Sequence, residues 1–134
     1  MKAMILTAMM LTISSLGVAK SISGTVTVKK NLSEKIQGKG VLFVFARSFG
    51  TQGGPPAAVK RIPSPKFPQT FSLSQEDAMI PGSPFEGPFT LVARWTESGN
   101  AMQKNGAFEG MTSPKKGIKP GDKGVEVEIN EARK

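Results

Sequence analysis

Four cationic side chains, Arg47, Lys60, Arg61 and Arg94, flank glycine- and proline-rich stretches of the sequence. A guanidinium presents a planar fork of N–H donors that can grip a carboxylate through two parallel bonds. Gathered at strand ends, these groups would make a cationic rim for acidic ligands. The same chemistry also serves an internal ion pair, for which Asp77 and Glu97 are the candidate partners. Asp77 has a further reading, because an aspartate before a Pro-Gly turn commonly accepts from backbone N–H groups two residues on and fixes the loop. Three methionines, Met79, Met102 and Met111, carry soft thioether sulfurs that suit Cu(I). Intervals of 23 and 9 residues give no Met-x-x-Met pair, so a metal site there depends wholly on the fold. For Met79 alone, a binding contact and a pliant filler of the core are both open.

What the sequence lacks narrows the chemistry further. It contains no Cys, no His and no Tyr. Zinc sites built on His or Cys, haem ligation by His, Cys or Tyr, and Ser-His-Asp or Cys-His nucleophiles are therefore excluded by composition. Carboxylates, lysine and serine remain, and the expectation is a binding protein without catalysis or cofactor. The formal charge of +8 favours anionic partners and solubility and does not bear on fold. Because the basic residues are scattered singly or in pairs, no nucleic-acid partner is expected.

At the N-terminus, Lys2 precedes an uncharged run, Ala3 to Ala19, ending Gly17-Val18-Ala19. A positive start, an apolar middle and small residues at the end are the layout of a secretory signal peptide. Residues 1–19 are read as that signal, cleaved after Ala19, with a retained anchor as the alternative. The run is short for a bilayer span, which wants about 20 predominantly apolar residues, so no stable membrane insertion is expected after cleavage. The remaining residues, 20–134, suffice for one small exported domain held together without disulfides.

Within that domain, short segments of period-two alternation are separated by Gly and Pro, as in an all-β sandwich or barrel. In SISGTVTVKK, Ile22, Val26 and Val28 share one face with Gly24. VLFVFAR (41–47) and FTLVARWT (89–96) carry apolar residues on both faces, which predicts central strands. VEVEI (125–129) alternates cleanly, and AAVKRI (57–62) and TFSLS (70–74) are weaker strands. NLSEKIQ suggests a helical turn with Asn31 or Ser33 as cap and Gly38 as its end. The fold class is a small two-sheet β-sandwich, Ig-like or cupredoxin-like, of about six to eight strands. Phe43, Phe45, Phe71, Phe89 and Trp95 are expected to fill its core.

The stretch ARWTESGNAMQKNGAFEG (93–110) follows an apolar strand with amides, glycines, a lysine and a methionine. Ser98-Gly99-Asn100 predicts a tight turn, after which 100–105 runs back as a short edge strand. Such an edge would offer N–H and C=O groups to an incoming extended chain, with Met102 and Phe108 available for apolar side chains. A plain surface hairpin is the alternative.

In LFVFAR, GGPP followed by AVKR, DAM followed by PG, VAR followed by SGNAM, and a terminal strand after KPG, the sequence resembles the C-terminal periplasmic domain of the CcmI/CycH c-type cytochrome biogenesis family. In order and spacing these landmarks cover most of residues 22–130. The family usually carries membrane spans and tetratricopeptide helices ahead of this domain, whereas here only the apolar run precedes it. It also tends to show an acidic turn after SGNAM, where this sequence has Ala107. The resemblance implies a periplasmic holdase that binds unfolded apocytochrome c or other cytochrome maturation components. Arg47, Lys60, Arg61, Asp77, Met79, Arg94, Ser98, Asn100 and Met102 are then the candidate binding residues, the arginines for peptide carboxylates or haem propionates. A periplasmic copper or small-ligand carrier on the same sandwich is the alternative.

Overall fold

The computed structural model describes residues 20–36, 39–51 and 54–133. The expected signal peptide and Gly38 lie outside them. Eight strands make two sheets: β1 (Ile22–Val28), β2 (Val41–Ser48), β3 (Ala58–Pro63), β4 (Gln69–Leu73), β5 (Phe89–Thr96), β6 (Ala107–Met111), β7 (Val125–Ile129) and β8 (Glu131–Ala132). The three-stranded sheet has the order β4-β1-β7 and the five-stranded sheet β3-β2-β5-β6-β8. The sandwich expected from alternation is present, and the six strands read from alternation form. The five-stranded sheet is antiparallel throughout, while β1 and β7 run parallel.

Alternation explains which residues meet. From β1, β4 and β7, Ile22, Val26, Phe71, Leu73, Val127 and Ile129 point inward. They meet Leu42, Val44 and Ala46 of β2 and Phe89, Leu91, Ala93 and Trp95 of β5. Trp95 is fully enclosed, and its indole N–H donates to the Lys39 carbonyl at 2.8 Å, so the one polar atom of the largest core side chain is satisfied. As the two-faced pattern of VLFVFAR requires, β2 is central, flanked by β3 and β5. Phe43 and Phe45 are buried as expected but lie outside the inter-sheet core. They stand on the outer face of the five-stranded sheet, in a second cluster with Val41 and Val92.

The last two strands join the sheets. β7 belongs to the three-stranded sheet, and after Asn130 the chain enters the other sheet as β8, pairing Phe108 with Ala132 and Glu109 with Glu131. The Asn130 N–H donates to Glu109 at the step. The crossing needs backbone against backbone. A Cβ on Gly110 would stand 1.7 Å from the Glu128 carbonyl oxygen, a place only glycine can occupy.

Local expectations are corrected in three places. The turn at Lys30–Leu32 is a single 3-10 turn that follows Lys29 with no side-chain cap; Ser33 donates back to the Lys30 carbonyl rather than capping. Residues 100–105 form turns and bends instead of a returning strand, and β6 starts at Ala107. The edge of β6 is covered by β8, so that side offers no free ladder to an incoming chain. Pro63 ends β3, an edge strand, where a missing N–H costs no ladder bond.

Candidate functional site

The outer face of the five-stranded sheet collects most of the residues singled out by chemistry. Residues directly opposite in the ladders share a face, so one row across the sheet reads Val59, Phe45, Val92, Met111. The next reads Arg61, Phe43, Arg94, Glu109, Glu131. An apolar strip thus lies beside a charged one. Arg47 extends the same face of β2, opposite Thr90.

Arg94 governs this surface. Its side chain is only 6% exposed, with Nε donating to Glu109 Oε1 at 3.0 Å and Nη1 to the Ala101 carbonyl at 2.9 Å. Its guanidinium carbon lies 4.9 Å from the Phe45 ring centroid, a cation–π contact. Arg133, just past β8, reaches the same carboxylate at 3.6 Å and donates from Nη1 to the Gln103 carbonyl at 2.8 Å. Two guanidinium groups therefore share one carboxylate and hold the backbone of one loop. Burial lowers the Arg133 pKa from its ordinary value, and Arg94 and Arg47 press the same way against the opposing pull of Glu109. An arginine nevertheless keeps its charge.

The loop so held is the polar, glycine-rich stretch after β5. Thr96 Oγ1 accepts from the Gly99 N–H at 3.0 Å, and Gly99 turns the chain at φ +87°, a value that favours glycine. Ser98 Oγ then accepts from Asn100, and Asn100 Oδ1 from Met102 at 2.9 Å. Gln103 Oε1 accepts from the Ser98 N–H and hydroxyl. Ala101 packs against the outer apolar cluster. The loop is thus a lid on Phe43, Phe45 and Val92, with Met102 raised from it at 73% exposure.

Six candidates converge here: Arg47, Arg61, Arg94, Ser98, Asn100 and Met102. Ser98 and Asn100 spend their side chains on the loop itself, and Arg94 is a buried clamp, whereas Arg61 and Met102 are exposed. Lys60, Asp77 and Met79 lie elsewhere. Lys60 stands opposite Val44, on the other face of β3 from Arg61, and pairs with Asp77 at 3.1 Å. Asp77 bonds backward to the Ser74 N–H at 2.9 Å, completing a capping box on the 3-10 turn Gln75–Asp77, instead of forward along the chain. Met79 is half exposed and so fills no core gap.

Met79 and Met111 occupy opposite sides of the five-stranded sheet. Ala78 bridges Ala58 beyond β3, and Met111 ends β6. Four strand positions separate them, roughly 19 Å, which two methionine side chains do not close onto one ion. No group of three or more His, Cys, Asp or Glu residues suited to a metal occurs among the described residues.

Glu109 and Arg133 were not singled out by sequence. The partner of Arg94 is neither Asp77 nor Glu97 but Glu109, directly across the β5–β6 ladder. Alternation in AFEGM puts Glu109 on the face opposite Phe108, but its meeting with Arg94 is a matter of register across a loop of ten residues.

Comparison with known proteins decides the relationship. Residues 22–130 match the family model described as the cytochrome c-type biogenesis protein H Ig-like domain. The chain belongs to this family. Among CycH relatives, the cytochrome c-type biogenesis protein CycH of Pseudomonas aeruginosa is 41% identical over 86 residues, covering 58% of this chain. The chain spans only 20% of that relative's length. An uncharacterized protein of Aquifex aeolicus is 28% identical over 110 residues, covering 82% of this chain and 70% of its own. Among solved structures, an alternative pilotin from the type II secretion system of Vibrio cholerae superposes with a TM-score of 0.54 at 13% identity. It covers 87% of this chain and 100% of its own, a likeness of fold alone. No helix among the described residues of this CycH-like chain is long and apolar enough to cross a membrane.

Proposed function

We propose that the protein is an exported, non-catalytic binding module of c-type cytochrome maturation. In this reading it holds an unfolded apocytochrome c segment on the outer face of its five-stranded sheet, in the periplasm. Family membership supports the setting. One observation carries the binding reading: on one sheet face, around the apolar strip that the loop covers, the exposed Arg61 stands with two exposed methionines, Met102 at 73% and Met111 at 50% exposure. Met side chains adapt to varied apolar partners, and the Arg61 guanidinium is free to meet client carboxylates. The clamped loop sets the shape of the surface, so that Arg94, Glu109 and Arg133 act as positioning residues and Arg61, Met102 and Met111 as contacts.

The test is anisotropy titration of a labelled, reduced apocytochrome peptide bearing Cys-x-x-Cys-His. Alanine at Arg61, Met102 and Met111 together should weaken capture at least tenfold with the circular dichroism spectrum intact. An unchanged affinity refutes the assignment of this face. The copper-carrier reading finds no convergent set of three methionines among the described residues. Its own check is a Cu(I) titration against a competing chelator, in which stoichiometric uptake would revive it.

A further inference from the structure

Away from the proposed client face, one end of the sandwich brings together three features. The first is positive charge. The loop between β6 and β7 carries Lys115, Lys116, Lys119 and Lys123, and it is tied to the chain start by Gly121 N–H to Ser21 at 2.8 Å and Ser23 N–H to Asp122 at 3.1 Å. Lys20 and Lys119 line one groove of about 470 Å³ with Phe85 and Glu86. Against these five lysines stand Glu76, Glu86, Asp122 and Glu126. The Asp122 carboxylate turns back to the Lys119 N–H.

The second feature is apolar and exposed. The turn Met79-Ile80-Pro81-Gly82 projects from the same end, held by Ser83 N–H to the Ile80 carbonyl and by Gln75, which bonds both Ser83 and Phe85. Ile80 is 69% and Met79 51% exposed, and no function assigned above uses Ile80. The third is connectivity: in the precursor, and in a form that retains the run as an anchor, the apolar stretch 3–19 enters the fold at Lys20, at this end.

We infer that this end docks on an anionic lipid bilayer, with Met79 and Ile80 entering the interface and the lysines facing acidic headgroups. Exposed large apolar side chains beside cations fit a charged membrane surface, to which each nearby lysine contributes roughly fivefold in partitioning. The opposite end also bears lysines, Lys29, Lys30, Lys35 and Lys39, together with Met102, but no apolar run enters there. The surface lies outside the outer sheet face and stands or falls independently of client binding.

Because the sequence has no cysteine, an environment-sensitive fluorophore can be placed on the full chain at Ile80→Cys or, as the control, at Met102→Cys. On vesicles of phosphatidylcholine mixed with phosphatidylglycerol, the probe at position 80 should shift to the blue while that at 102 does not. The shift should vanish at molar salt and on phosphatidylcholine alone. Lys115→Gln, Lys116→Gln and Lys119→Gln together should weaken partitioning on the order of a hundredfold. Equal shifts at both positions, no shift at 80, insensitivity to salt, or unchanged partitioning of the folded triple variant would each overturn the proposal.

Discussion

Glu109→Gln is the sharpest probe of the outer face, because it keeps the shape of the side chain and removes only its charge. In the native protein that carboxylate faces the Arg94 and Arg133 side chains, 6% and 16% exposed, and is itself 21% exposed. Removing one partner of a fully buried pair costs about 3–5 kcal/mol, since the other charge is left uncompensated. Solvent reaches Glu109 and Arg133, and a glutamine carbonyl can still accept from Arg94, so the loss here should be about 2–3 kcal/mol. At the roughly 4 °C per kcal/mol suited to a domain of this size, Tm should fall by about 8–12 °C. The assay is urea denaturation followed by the emission of Trp95, the single tryptophan, with m unchanged. Amide exchange adds a local readout: the Met102 and Gln103 N–H groups, held inside the clamped loop, should exchange faster relative to those of β2. A loss below about 0.5 kcal/mol, the value of a solvated surface pair, would refute the claim that Glu109 organises the loop.

Gly110→Ala should cost more than about 3 kcal/mol or prevent folding, since its Cβ would meet the Glu128 oxygen at 1.7 Å; Gly54→Ala, with open space around it, should cost only about 1 kcal/mol from its positive φ. Solubility and denaturant midpoint compare the two. Thr112→Val should destabilise by about 1–3 kcal/mol, read by urea denaturation, because the buried Leu91 N–H loses the Thr112 Oγ1 acceptor at 3.0 Å. Native Trp95 emission should resist acrylamide quenching, as its ring is 1% exposed; quenching comparable to that of the urea-unfolded chain would contradict the core described here.

The outline of the fold was legible because a half-buried strand writes its two faces into alternate residues. That pattern exposed β1 and β7, and the apolar residues on both faces of Val41–Ser48 and Phe89–Thr96 marked the centre of a sheet. It could not say that the outer apolar residues of β2 would be covered by a loop and Arg94 rather than by the second sheet. Both arrangements bury Phe43 and Phe45, and alternation records burial without naming the cover. β8 escaped because two residues are too few to show a period. The expected returning strand at 100–105 failed for a related reason. Ser98, Asn100 and Gln103 satisfy the loop's N–H groups locally with their own side chains, an alternative to a ladder that Asn and Ser commonly offer.

By itself the sequence determined the chemistry available: without His, Cys or Tyr, the common nucleophilic triads and the histidine or thiolate metal centres have no residues to build them. It also determined that two sheets would form, since period and residue type are local properties. The tertiary structure alone decided the partnerships. Arg94 is the clamp of a lid because the β5–β6 register sets Glu109 opposite it and the return of β8 brings Arg133 alongside. Lys60 and Arg61 part company because adjacent residues on a strand point to opposite faces and Asp77 waits on only one. Such pairings join residues far apart in the chain, and no local pattern encodes the distance between them.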